Sequence, residues 1–163
     1  MTRIRPYIPA LIWMAVIFVL STPFFSSALT SGILRRILDF FDFEYTASSL
    51  NDIDFFVRKA AHVTVYSILA ILWFRGLVKG SRMSIAKAAL TVLAISVLWA
   101  ASDEFHQYLE HGARTGKVSD VMLDSTAAAL SLAVIGPITN KKKKNAALKR
   151  RFETYYKDRK LNF

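Results

Sequence analysis

The sequence predicts an all-α fold, a polytopic membrane protein built as a four-transmembrane-helix bundle with N and C termini cytoplasmic. Three observations predict it. The chain of 163 residues is 53% hydrophobic, yet it carries a formal net charge of +10. Those properties fit together when apolar residues gather in spans and Lys and Arg in the flanks, and here they are segregated in that way. Four apolar runs each approach the roughly 20 helical residues that cross about 30 Å of hydrocarbon. A chain of this length makes about one domain, divided here into a membrane domain at 1–138 and a basic cytoplasmic tail at 139–163. The absence of Cys excludes disulfides, thiolate catalysis and Cys-ligated zinc.

The first span is expected from about Tyr7 to Phe25, behind Arg3 and Arg5, and the second from about Phe55 to Phe74, closed by Arg75. The third, about Met83 to Ser102, holds only Lys87, near enough to its end to snorkel to the interface. The fourth, about Val118 to Ile138, is expected to end at Gly136 and Pro137, before Lys141 to Lys144. A cleaved signal peptide could imitate the first span, since Ser26, Ser27 and Ala28 follow it. The apolar run outlasts an ordinary signal core, so an uncleaved helix is the better reading.

Orientation follows from the cations, which accumulate in cytoplasmic flanks. The tail after Ile138 has ten basic residues against Glu153 and Asp158, and the second loop adds Arg75, Lys79, Arg82 and Lys87 with no acid. Both are expected inside. The first loop sets Arg35 and Arg36 against Asp39, Asp42, Glu44, Asp52 and Asp54, and the third is nearly balanced, so both are expected outside.

Two extramembrane segments read as amphipathic. Ile33, Leu34, Ile37, Leu38 and Phe41 recur at helical spacing opposite Arg35, Arg36 and Asp39, behind Ser31 as a candidate cap. That helix either lies on the outer leaflet or packs on the bundle. In the tail, Leu148, Phe152 and Tyr155 or Tyr156 interleave with Lys149, Arg150 and Arg151. A polybasic segment beside an anionic inner leaflet accounts for this basicity without nucleic acid.

Polar residues inside the spans carry the functional signal, because a charge at the helix centre costs about 2.5–3.5 kcal/mol even on the lenient scale. Arg58, His62 and Tyr66 are spaced by four and share a helix face beside Lys59. The third span reaches the same boundary at Asp103 and Glu104, followed by His106 and Gln107, and the fourth enters with Asp120 and Asp124. Three helices thus deliver opposite charges to one leaflet, the external one. Pairing there lowers the desolvation cost, and Arg58 is expected to neutralise Asp120 or Asp124 in a polar pocket open to the outside. The bland alternative, ordinary interfacial residues, is strongest for the shallow Arg58, Lys59 and Glu104.

These residues stand in RKAAHVTVY (Arg58 to Tyr66), SDEFHQ (Ser102 to Gln107) and RTGKVSDVMLD (Arg114 to Asp124). That ordered set resembles the VanZ-like family of teicoplanin-resistance proteins over most of the chain. Val65 stands where many relatives carry Glu, His111 to Arg114 replaces a Pro-Gly-Arg turn, and Ala127 replaces a usual Gly. The resemblance implies a place at the cell envelope and a link to low-level teicoplanin resistance, and it does not imply an enzyme.

Three function classes follow. In the first, Arg58, Lys59 and Arg114 bind anionic groups of a lipid-linked envelope component or of the lipoglycopeptide, with Asp103, Asp120 and Asp124 holding them in place. In the second, His62, Asp103, His106, Asp120 and Asp124 hold a divalent metal or act as acid and base on an envelope lipid or glycan; Asp103 and His106 are three apart, like the carboxylate-x-x-His element of bundle metal sites. No cofactor is otherwise indicated. A channel fits least, since the cytoplasmic halves of the second and fourth spans are apolar.

Overall fold

The computed structural model describes residues 4–22, 27–81, 83–109 and 117–161, apart from the side chains of 27, 28 and 155–161. Every regular element among them is helical. A 3₁₀ turn, Arg5–Tyr7, leads into α1 (Ile8–Ser21), followed by α2 (Ser27–Phe40), α3 (Ala47–Gly80), α4 (Ile85–Leu109) and α5 (Val118–Leu161). Three of these, α3, α4 and α5, are long and apolar enough to cross a membrane; the segment Arg5–Ser21 is apolar but shorter. Together they form a membrane-type helical bundle.

The helices outrun the apolar segments expected of them. Instead of opening near Phe55, α3 begins at Ala47, behind a capping box in which Thr46 and Ser49 exchange side-chain bonds with each other's backbone N–H. Such a box satisfies donors at an end where the sequence is still polar. At the other extreme α5 runs through Pro137 without ending. Proline removes one intrahelical bond, and the Lys, Ala, Leu and Arg residues after it are good enough helix formers to continue. The boundary expected at 138 therefore lies inside one continuous helix.

Packing centres on α3, α4 and α5, with α1, its leading turn and α2 all against α3. One apolar cluster joins Ala70, Phe74 and Leu77 of α3 to Ala88 and Val92 of α4 and to Ala128 and Leu132 of α5. A second, nearer the middle, joins Ile17, Tyr66, Leu69 and Ala100. Small residues dominate the α4 face, where Ala88, Val92, Ser96 and Ala100 are all fully buried at every fourth position. Small side chains let helix backbones approach closely, which supplies packing energy where lipid provides no hydrophobic drive. The leading turn docks by the same means, since a Cβ at Gly76 would stand 2.9 Å from the Pro6 carbonyl oxygen. Trp13 then fixes α1, its indole N–H donating to the Val65 carbonyl at 2.9 Å.

The α2 helix realises part of each expectation. Leu34 and Leu38 are half-buried, while Ile33, Ile37 and Phe41 remain exposed. Ser31 lies within the helix and does not begin it. Its C-terminus closes with a Schellman pair, Phe43 N–H to Leu38 O at 3.0 Å and Asp42 N–H to Asp39 O at 3.2 Å, around Asp42 at φ 52°. Asp tolerates this left-handed conformation better than most side chains. Nearby, the Tyr45 hydroxyl donates to Asp39 at 2.8 Å, and this bond to a carboxylate holds the phenol above its ordinary range.

Candidate functional site

The buried stripe of α4 changes character at its C-terminal end. Continuing past Ala100, it presents Asp103, Glu104 and Gln107, all buried. On α3 the matching level carries Asp54, Arg58, Lys59 and His62, and on α5 it carries Asp120 and Asp124. The bundle is thus stratified, apolar at one end and polar at the other, with the polar layer away from the basic stretch Lys141 to Lys144.

Three of the acids in this layer pair with described bases. Lys59 pairs with Asp120. His62 Nδ1 lies 3.2 Å from both Asp124 oxygens, and Asp124 is fully buried. Arg58 departs from expectation: its Nε meets Asp54 Oδ2 at 3.3 Å, an i, i+4 contact within α3, not Asp120 or Asp124. The reason is angular. Lys59, one residue on, is turned about 100° around the helix axis from Arg58 and takes the acid of α5. Asp54, which the sequence signalled only as loop charge, is 5% exposed and belongs to the layer.

A cavity of about 360 Å³ opens beside these pairs. Arg58, Lys59, His62, Tyr66, Asp103, Gln107 and Asp120, all expected pocket residues, line it, with Ile17, Leu20 and Val65 as apolar wall. Gln107 ties the layer to α1, its amide donating to Asp103 Oδ2 at 3.2 Å and to Ser21 Oγ at 3.4 Å. Lys117 also lines the cavity, and its backbone N–H donates to Glu104 Oε2 at 2.7 Å, so a carboxylate from α4 caps the start of α5. Residues Lys117 and Ser21 were not legible as site residues: one lies just before the fourth apolar run and the other inside the first. Arg114 lies outside the described residues.

The expected metal donors are only partly brought together. Among the described residues the nitrogen and oxygen atoms that converge, within 4.8 Å of one another, belong to His62, Glu104 and Asp124. Asp103, His106 and Asp120 are outside this group. Asp103 is engaged by Gln107, Asp120 by Lys59, and the His106 ring stands edge-on to Phe18 of α1 at 5.1 Å between centroids. Residues 103 and 106 are separated by about 300° of helical turn, so they share a side of α4, but it is the side toward α1. Glu104, turned toward α3 and α5, takes the place expected of them.

Fold and site together define a membrane-type helical protein with a cavity lined by charge at one end of its bundle. Residues 7–138 match the VanZ/LLP1 family, and the chain belongs to that family. No curated protein and no solved structure matches it.

Proposed function

We propose that this chain is a four-span protein of the cell envelope, with both termini cytoplasmic, whose cavity opens outward and binds an anionic group of a lipid-linked envelope component. The observation that carries this reading is the lining of the cavity: Arg58, Lys59 and Lys117 stand over the apolar wall of Ile17, Leu20 and Val65. Cations suit a phosphate-like head and an apolar wall suits the chain attached to it. Arg58 meets Asp54 through Nε and lines the cavity. Occupying such a component shields it from a lipoglycopeptide, which is how the family resemblance to low-level teicoplanin resistance is accommodated. The exposed basic stretch of α5 rests against the anionic inner leaflet.

A four-span count requires the segment Arg5–Ser21 to cross, and its 17 residues reach roughly 25 Å, at the short limit for a span. A reporter active only in the cytoplasm is expected to work when fused after Phe163, and one active only outside when fused at Glu44. An outside-active fusion after Phe163 would overturn the orientation.

For the ligand, the measurement is binding of a polyprenyl pyrophosphate to the reconstituted protein, beside the teicoplanin and vancomycin inhibitory concentrations of a host with and without the gene. Binding is expected, with Lys117→Ala weakening it about tenfold, the loss of one charge-assisted hydrogen bond. The teicoplanin value alone should rise with the gene. Absence of saturable binding, or binding indifferent to both Lys117→Ala and Arg58→Ala, defeats the proposal.

One observation favours a second reading, an acid/base enzyme on an envelope lipid or glycan. His62 lines the cavity while the buried Asp124 holds its Nδ1 side, the arrangement of an oriented general base.

A further inference from the structure

The polar layer contains more buried acid than its described bases account for. Asp54 has Arg58 and Asp120 has Lys59. Asp103, Glu104 and Asp124 remain. Their described partners are an amide, a backbone N–H and an imidazole, of which only His62 can carry charge. Carboxylates removed from water need compensation by a cation or by protons.

Three of these groups are arranged to share one. His62 from α3, Glu104 from α4 and Asp124 from α5 bring one nitrogen and two oxygens within 4.8 Å of one another. Donors that share one tetrahedral ion, at bonds of about 2.0–2.2 Å, stand roughly 3.3–3.6 Å apart, so the cluster closes by no more than roughly 1.5 Å to hold one. Each donor rides on a different core helix, and their separation is set by the packing of α3, α4 and α5 rather than by a loop.

A second observation points to a ligand independently of the cluster's shape. Tyr66, one turn beyond His62 on the same face of α3 and lining the same cavity, is 1% exposed, and its hydroxyl meets no hydrogen-bond partner among the described residues. Glu104, 6% exposed, uses Oε2 toward the Lys117 N–H, while Oε1 is buried without a partner among the described residues. Leaving such groups unsatisfied costs about 1–3 kcal/mol each. A hydrated cation beside His62 answers both, through the carboxylate oxygen directly and through its bound water toward the phenol.

We propose that His62, Glu104 and Asp124 bind one divalent transition-metal cation per chain, Zn²⁺ or Mn²⁺. The imidazole among the donors favours Zn²⁺ over Ca²⁺ and Mg²⁺, which prefer oxygen alone, and the two carboxylates suit Mn²⁺. Of the three ligands only His62 lines the cavity, so through it the ion adds positive charge beside Arg58, Lys59 and Lys117. The site stands on the three helices whether or not the cavity takes a lipid-linked group.

The test uses the full chain, purified without a polyhistidine tag in detergent, stripped with chelator and titrated calorimetrically with ZnCl₂ and separately with MnCl₂. Bound metal is counted after desalting. The wild type is expected to bind one equivalent of at least one of these ions and to melt at a higher temperature with it. Glu104→Gln and Asp124→Asn should each weaken binding at least tenfold, while Asp52→Asn, an exposed carboxylate on α3, should not. Should the α4 or α5 variant fail to give a monodisperse helical protein, His62→Gln, at a half-buried position, carries the same expectation. Failure of both ions to bind saturably, leaving protons to discharge the acids, overturns the proposal. So does wild-type affinity in any folded ligand variant.

Discussion

Arg58→Ala is expected to cut the amount of folded protein in the membrane, and Asp54→Asn placed beside it to restore part of the loss. The guanidinium is held 3.3 Å from Asp54 on the preceding turn, and its removal leaves a buried carboxylate whose Oδ1 already has no hydrogen-bond partner among the described residues. Breaking a fully buried pair costs about 3–5 kcal/mol. The Arg58 side chain is 38% exposed, so water reaches the pair and a cost of about 1–3 kcal/mol is the better figure. Asparagine in place of Asp54 keeps one acceptor while removing the charge, so the double variant should lose less than the sum of the singles. Arg58→Ala combined with Asp120→Asn should be additive, because Asp120 belongs to Lys59. Membrane abundance and thermal midpoint decide it: coupling of Arg58 to Asp120 and none to Asp54 would mean that the pairing has been assigned to the wrong helix.

That pairing marks the limit of what the sequence could disclose. The helical class, the three long spans and the gathering of charge at one bundle end were legible because each depends on position along a helix, which is fixed by counting residues from a boundary. His62 and Asp124 could be set at a common depth by the same count, which does not show that they touch. Rotation about the helix axis is another matter. Whether Arg58 or Lys59 faces α5, and whether Asp103 or Glu104 faces α3, depends on how small residues such as Ala70, Ala88, Ser96 and Ala128 let the helices roll against one another. Both members of each pair are charged, so hydrophobic periodicity gives no preference. Helix ends were obscured for a related reason: the apolar run measures the span, whereas the helix extends as far as capping and propensity allow, to Ala47 on one side and through Pro137 on the other.

Neutral replacements of the deepest pair, His62→Gln and Asp124→Asn, are expected to leave folded protein near wild-type abundance and to abolish the activity of the pocket. Asp124 is fully buried, with both oxygens 3.2 Å from His62 Nδ1. A scaffold would be served as well by an amide, which keeps a hydrogen bond to the imidazole and avoids the desolvation of a carboxylate. A charge costs about 2.5–3.5 kcal/mol at the centre of a span and less toward its end, where Asp124 lies, so the amide should be neutral or slightly stabilising to the fold. What the amide cannot supply is negative charge, whether to fix the imidazole in one tautomer, to ligate a cation or to take a proton. Binding of an anionic ligand or metal that depends on this pair should therefore fall about 10- to 100-fold, the worth of a hydrogen bond to a charged group. Membrane-inserted protein must be quantified beside the ligand affinity and the teicoplanin phenotype, since loss of protein alone would mimic loss of function. Wild-type affinity and phenotype at wild-type abundance in both variants would show the pair to be a structural tie between α3 and α5, with the function of the pocket resting on Arg58, Lys59 and Lys117 alone.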